Sequence, residues 1–171
     1  MLFLAASALI VASCGKAKYD AKLNQTHTNS ELGFSFAYPS GWDKAEYEPN
    51  VVFFQAPERN NFSASVGIII SDEDKRFDEM TQNEFLGAVP KDIKDFNLID
   101  FKKTAFAGQS CIMAVFDSTG NFGKTRQREY VFNRNGKLYT LVFIALQNDF
   151  EYYDNIFNKI AQTFTFNGAG S

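Results

Sequence analysis

The sequence predicts an α+β fold in which an antiparallel β-sheet is sandwiched between helices, an α/β/α arrangement. Three observations carry this. Asn135-Gly136 separates two strand-like apolar runs, and Asn-Gly supplies the positive-φ residues of a tight hairpin. Residues 109–117 and 138–146 are apolar on both faces, so other layers must cover both sides of the sheet. Two stretches repeat apolar residues at helical spacing and can supply those layers.

The chain opens with MLFLAASALIVAS and then Cys14. Residues 1–13 carry no charge and are too few to cross a hydrocarbon core of about 30 Å, which takes roughly 20 helical residues. The run has the length of a signal-peptide apolar region. Its end, Val11-Ala12-Ser13-Cys14, resembles the lipobox of bacterial lipoproteins, although Met1-Leu2-Phe3 lacks the usual basic residue. The resemblance implies cleavage before Cys14, a covalent lipid on its sulfur, and an extracytoplasmic protein anchored to a bacterial membrane. Several acyl chains anchor stably because each buried methylene contributes about 0.8 kcal/mol. Residues 14–31 then read as the lipidated cysteine and a polar tether, since 15–31 show no period of 2 or 3.6. As a flexible coil this tether spans about 20–25 Å. His27 lies in it, among Thr and Asn, and reads as solvent-exposed and idle.

A single domain is expected over 32–167, with 168–171 as a tail. Phe34, Phe36 and Tyr38 alternate with small residues in a half-buried strand, which Pro39-Ser40-Gly41 stops before Trp42. Residues 51–54 form a short apolar strand. Phe62, Ala64, Val66, Ile68 and Ile70 then point one way, with Ile69 an apolar exception on the other face. Thr81-Gln82-Asn83-Glu84 is a capping-box signature. The stripe Phe85, Leu86, Val89, Ile93 and Phe96 predicts a helix with a kink or restart at Pro90. Strands follow at 98–106 and 109–117 around an Ala107-Gly108 turn, then at 130–133 and 138–146. Asn148 and Glu151 cap a last helix, whose stripe runs from Phe150 through Tyr153, Ile156, Phe157 and Ile160 to Phe164.

Composition narrows the function classes. Nineteen phenylalanines require a core, and a net charge of −3 lacks the basic excess of a nucleic-acid binder. One histidine and two cysteines do not make a zinc site or a disulfide scaffold. Nucleophilic catalysis needs a base beside the nucleophile, and the sole histidine is on the tether. No enzyme is expected. Cys111, mid-strand between apolar neighbours, reads as a small buried hydrophobe rather than a reactive thiol.

Gly33-Phe34-Ser35-Phe36-Ala37-Tyr38-Pro39-Ser40-Gly41-Trp42 resembles the opening of PsbP-like domains, an aromatic strand closing in Y-P-x-G-W. The Lys137-Leu138-Tyr139-Thr140-Leu141 strand, the aromatic helix and the ending at 157–166 are similar too. The likeness, to the PsbP/DcrB-like superfamily, implies an antiparallel sheet between helices. It also implies non-enzymatic binding to a larger assembly, here an envelope protein, as an accessory or docking domain.

Four features are candidate sites. Lys124, Arg126 and Arg128 share one face of a strand beside Tyr130, either docking an acidic partner or a lipid headgroup or protecting a sheet edge. Phe122, in a glycine-flanked stretch read as a mobile loop over 117–123, could clamp that partner. Tyr38 and Trp42 either line a pocket or cap the core. Asp72, Glu73 and Asp74 form an acidic cluster that reads as a solvated turn or as a weak Ca²⁺ or Mn²⁺ site, the alternative being a small-ligand or divalent-cation binder. No other cofactor is implied.

Overall fold

The computed structural model describes residues 17–48, 50–72 and 76–166. Cys14, Glu73 and Asp74 lie outside the described residues, as do the signal-like run and the tail.

Two sheets form. In the smaller, β1 (Leu23–Asn29) and β10 (Thr165–Phe166) flank β2 (Phe34–Pro39), both antiparallel to it. The larger has seven strands in the order β3-β4-β5-β9-β8-β7-β6. These are β3 (Asp43–Glu48), β4 (Val51–Gln55), β5 (Ser65–Ser71), β6 (Lys94–Phe106), β7 (Gln109–Gly120), β8 (Gly123–Arg134) and β9 (Lys137–Leu146). Every neighbouring pair is antiparallel. The run from β6 to β9 is a meander. Its Ala107-Gly108 and Asn135-Gly136 turns both place two consecutive residues at positive φ, as type I′ hairpin turns require.

One face of the large sheet meets α2 (Phe150–Thr163) and β2. The alternation of β9 sends Tyr139, Leu141, Phe143 and Ala145 into this core, where they meet Phe34, Phe36, Ile156, Phe157 and Ile160. Each fully buried Phe, Leu or Ile contributes about 1.5–3 kcal/mol of transfer free energy. The opposite face carries a smaller core of Met80, Phe85, Ile112, Ala114 and Phe116. Its cover is α1 (Gln82–Ala88) and the 3₁₀ turn Phe77–Glu79. Phe77 N donates to Asn133 Oδ1 at 3.0 Å and Lys103 Nζ to the Glu79 carbonyl at 2.7 Å, fastening that turn to β8 and β6. The expected antiparallel sheet between helices is therefore present.

Four local expectations are corrected. The tether does not run to residue 31, because β1 pairs with β2 from Leu23 to Asn29. Upstream of it, Tyr19 N donates to the Tyr152 carbonyl at 2.7 Å. What holds β1 is mainly a backbone ladder, which leaves no apolar alternation to read. His27 is consequently half-buried, its ring within 5.2–5.8 Å of those of Phe34, Phe36 and Phe54.

The capping box forms as expected: Thr81 N donates to Glu84 Oε2 at 2.7 Å and Glu84 N to Thr81 Oγ1 at 3.3 Å. The helix then ends at Ala88 rather than restarting. Pro90 forces the preceding Val89 into extended backbone, φ −62° and ψ 126°. Phe96 belongs instead to β6, with its ring 5.0 Å from Phe116. At the head of α2 the N-cap is Asp149, not Asn148. The Asp149 carboxylate accepts from Asn60 Nδ2 at 2.7 Å and Arg59 Nε at 3.3 Å, tying the helix to the segment before β5. Lastly, residues 117–120 belong to β7, so the loop expected there shrinks to the turn at Asn121 and Phe122.

Candidate functional site

Lys124, Arg126 and Arg128 do share one face of β8, the face turned toward α2. Two of the three charges are answered inside the protein. Arg126 Nε and Nη2 donate to the two Asp117 carboxylate oxygens at 2.8 and 3.0 Å. Gln147 Nε2 adds a third bond to Asp117 at 2.6 Å. The Arg126 hydrogen bonds hold the Asp117 carboxyl below its ordinary range, burial opposing them, and Asp117 raises Arg126 in return. Arg128 Nη1 donates to Asp154 Oδ1 at 3.0 Å. Its guanidinium also lies 5.4 Å from the Phe143 ring and 5.9 Å from that of Phe150, within cation–π range. Arg128 Nε and Nη2 are buried and find no acceptor among the described residues. Of the three, only Lys124 is exposed, so the stripe is not a row of free cations.

Beside the stripe lies a groove of about 650 Å³. It exists because α2 crosses β2 and β9 and leaves part of the β6–β8 face uncovered. Met113, Val115 and Tyr130 form its apolar floor. Asn158, Ala161 and Gln162 of α2 make one wall, and Asp100, Lys102 and Thr104 of β6 the other. Phe106 closes one end, its ring stacked on Tyr130 at 4.6 Å. Burial pushes the Tyr130 hydroxyl above its usual pKa, with Arg128 opposing, so it stays a neutral donor at neutral pH. Among the described residues of the sequence-predicted set, Arg128 reaches the groove, beside its strand neighbour Tyr130. The β6 wall was missed because Asp100, Lys102 and Thr104 read as ordinary polar positions of an edge strand.

The other predicted residues are dispersed. Phe122 is 73% exposed at the β7–β8 turn, touching the Phe62 ring edge-on at 6.2 Å. Trp42 is buried, not lining a cleft: its Nε1 donates to Tyr19 Oη at 3.3 Å and its ring meets Phe157 edge-on. Tyr38 is half-buried with its ring 4.3 Å from Phe54. Asp72 is an exposed carboxylate ion-paired to Lys137 at 2.6 Å. Among the described residues no group of three or more His, Cys, Asp or Glu could hold a metal ion. Cys111 is buried, and burial pushes its thiol up to about 11, far from the thiolate that a nucleophile needs. Among the described residues no helix is long and apolar enough to cross a membrane.

Solved structures show the same fold. The cyanobacterial PsbP (CyanoP) of Synechocystis sp. PCC 6803 matches with a TM-score of 0.63 at 20% identity, over 91% of this chain and 98% of that one. A Pseudomonas aeruginosa protein of unknown function matches at 0.59 and 12% identity, over 85% of this chain and 98% of its own. LpqN of Mycobacterium tuberculosis, described as involved in cell envelope biogenesis, matches at 0.54 and 16% identity, over 79% and 83%. No curated protein matches the sequence. The PsbP family model matches residues 22–166, from the strand that the sequence hid to the last one of the small sheet, and the chain belongs to the PsbP family.

Proposed function

We propose that the protein is a non-enzymatic accessory domain, held at the surface of a bacterial membrane by lipid on Cys14, that docks an envelope protein in the groove beside α2. The groove carries the reading. Its apolar floor of Met113, Val115 and Tyr130 inside a rim of polar and charged side chains is the anatomy of a protein interface. Rim charges already paired, as in Arg128–Asp154 and Lys102–Asp100, need no partner to neutralise them and so add selectivity more than affinity. Kinship with LpqN in fold supports an envelope setting.

Anchoring has a geometric consequence. Tyr19 is already docked on α2, five residue steps from Cys14. At about 3.3–3.6 Å per extended residue the domain surface at Tyr19 stays within roughly 18 Å of the lipidated sulfur. The domain is then held against the headgroups rather than on a long leash, and the partner must itself lie at the membrane.

Two measurements test this. Cys14→Ser should move the protein from the membrane to the soluble fraction, since no acyl chain then holds it. A photo-crosslinking residue at Lys102, on the groove wall, should trap an envelope protein in native membranes. The same residue at Ile69, exposed on the opposite face of the sheet, should not. Equal yields at the two positions would remove the groove from the proposal.

A further inference from the structure

The sheet face opposite α2 holds a carboxyl that nothing among the described residues answers. Glu129 of β8 sits between Ala114 of β7 and Val142 of β9, both buried and apolar. It is half-buried, and among the described residues no hydrogen bond or ion pair reaches its carboxyl. It lines a cleft of about 200 Å³ beneath the end of α1, whose other walls include Phe77, Phe85, Val89, Ile93, Phe96 and Phe116. Among the described residues no Lys or Arg lines that cleft. On the adjoining elements Glu84 is held in the capping box, Glu79 by Arg76, Lys103 by the Glu79 carbonyl and Asp95 by Thr119 Oγ1 at 2.8 Å, while Lys91, Asp92 and Lys94 are exposed to solvent. On β8 itself the same-face neighbours of Glu129 are Val131 and Gln127, and Gln127 Nε2 is turned to Ser118 Oγ at 3.4 Å.

A carboxyl facing apolar walls without a partner is costly to ionise. Burial pushes Glu129 up to about 7, near neutrality. An occupant that brings one positive charge on an apolar body would satisfy both features at once. A divalent cation would not, since Ca²⁺ takes six to eight oxygen ligands and among the described residues this cleft offers one carboxylate. Size sets the class: an apolar cavity of about 150 Å³ holds benzene. The cleft of about 200 Å³ has room for a ring with a short arm.

We propose that the cleft beneath α1 is a binding site for a small protonated amine on an apolar ring or short chain, with the ammonium group seated on the Glu129 carboxylate. This site is on the other face of the sheet from the docking groove and does not depend on it.

The test is calorimetric titration of the full chain with 2-phenylethylamine, and with 2-phenylethanol as its neutral counterpart, at pH 8 and pH 5.5. The amine is charged at both pH values, as lysine is, so only the protein's ionisation changes. The amine should bind at pH 8 and about tenfold or more weakly at pH 5.5, where Glu129 is protonated. Glu129→Gln, a near-isosteric change, should weaken binding at pH 8 at least tenfold and remove the pH dependence. Ala88→Leu, which adds bulk to the cleft from an exposed helix position and leaves the Glu129 carboxyl in place, should also abolish binding. Cooperative melting of both variants establishes that they are folded. No binding at millimolar amine, equal binding of the alcohol, or an unchanged affinity in folded Glu129→Gln would each overturn the proposal.

Discussion

Arg126 of β8 and Asp117 of β7 stand directly opposite each other across the strand pair and close in a two-bond fork of 2.8 and 3.0 Å. A cross-strand partner thus takes the charge that the sequence offers to an outside partner. Asp117 is buried, so it depends on Arg126 and Gln147 for compensation.

Arg126→Ala should therefore destabilise the domain by roughly 1–3 kcal/mol, the cost of leaving a buried acceptor short of a donor. Lys124→Ala, two residues away on the same face and exposed, should change stability by less than about 0.5 kcal/mol. Because Arg126 lowers the Asp117 pKa, this stabilisation is present above the ordinary carboxylate range and is lost as pH falls through the lowered folded pKa. Denaturant melts at pH 7 and at pH 2–3 should show the Arg126→Ala deficit shrinking in acid. Equal effects of the two substitutions at pH 7 would mean that the fork is not formed.

Phe143 is fully buried between β9 and α2, with its ring 5.3 Å from Phe157. Phe143→Ala should cost about 3–5 kcal/mol, the lost transfer energy plus the cavity left behind. That is a large share of the 5–15 kcal/mol typical of a domain, so urea unfolding should begin at much lower concentration. A loss below about 1 kcal/mol would place Phe143 outside the core.

His27 gives the domain an acid-sensitive seam. Burial lowers its pKa, Lys44 lowers it further, and Glu46 partly opposes them. The unfolded chain then takes up a proton near pH 6.5 that the folded chain resists. Stability from this group is complete above that pH and declines as pH falls below it. Its Nε2 has no hydrogen-bond partner among the described residues, so nothing polar is lost by replacing the ring. His27→Leu should gain on the wild type progressively as pH drops from 7.5 to 5 in matched denaturation curves. A wild-type-minus-variant difference that does not change with pH would place His27 in solvent.

Gly67 of β5 stands opposite Phe53 of β4, whose ring occupies the space a Cβ would need. Gly67→Ala should cost about 1–3 kcal/mol by overpacking. In a Phe53→Ala background the same change should be nearly neutral, so a double-mutant cycle should show strong coupling. Additive effects would mean that the ring lies elsewhere.

Local chemistry alone determined much of this protein. The Asn135-Gly136 turn, the Thr81–Glu84 capping box, the alternation of β2 and β5 and the stripe of α2 each depend on neighbours within a few residues, so the sequence displays them directly. The same holds for the Y-P-x-G-W opening that pointed to the family. Tertiary structure decided what depends on distant partners. β1 is invisible in the sequence because its ladder to β2 is made by backbone groups that every residue carries. Asp117 and Arg126 became a pair only through the register of two strands, which turned an apparent docking stripe inward. Glu129 reads as one polar position in an alternating strand, and only the apolar residues brought around it by β7, β9 and α1 make its charge costly. The physical reason is common to all three. Burial and pairing are properties of the environment that a side chain meets, and for a strand in a sheet most of that environment comes from elsewhere in the chain.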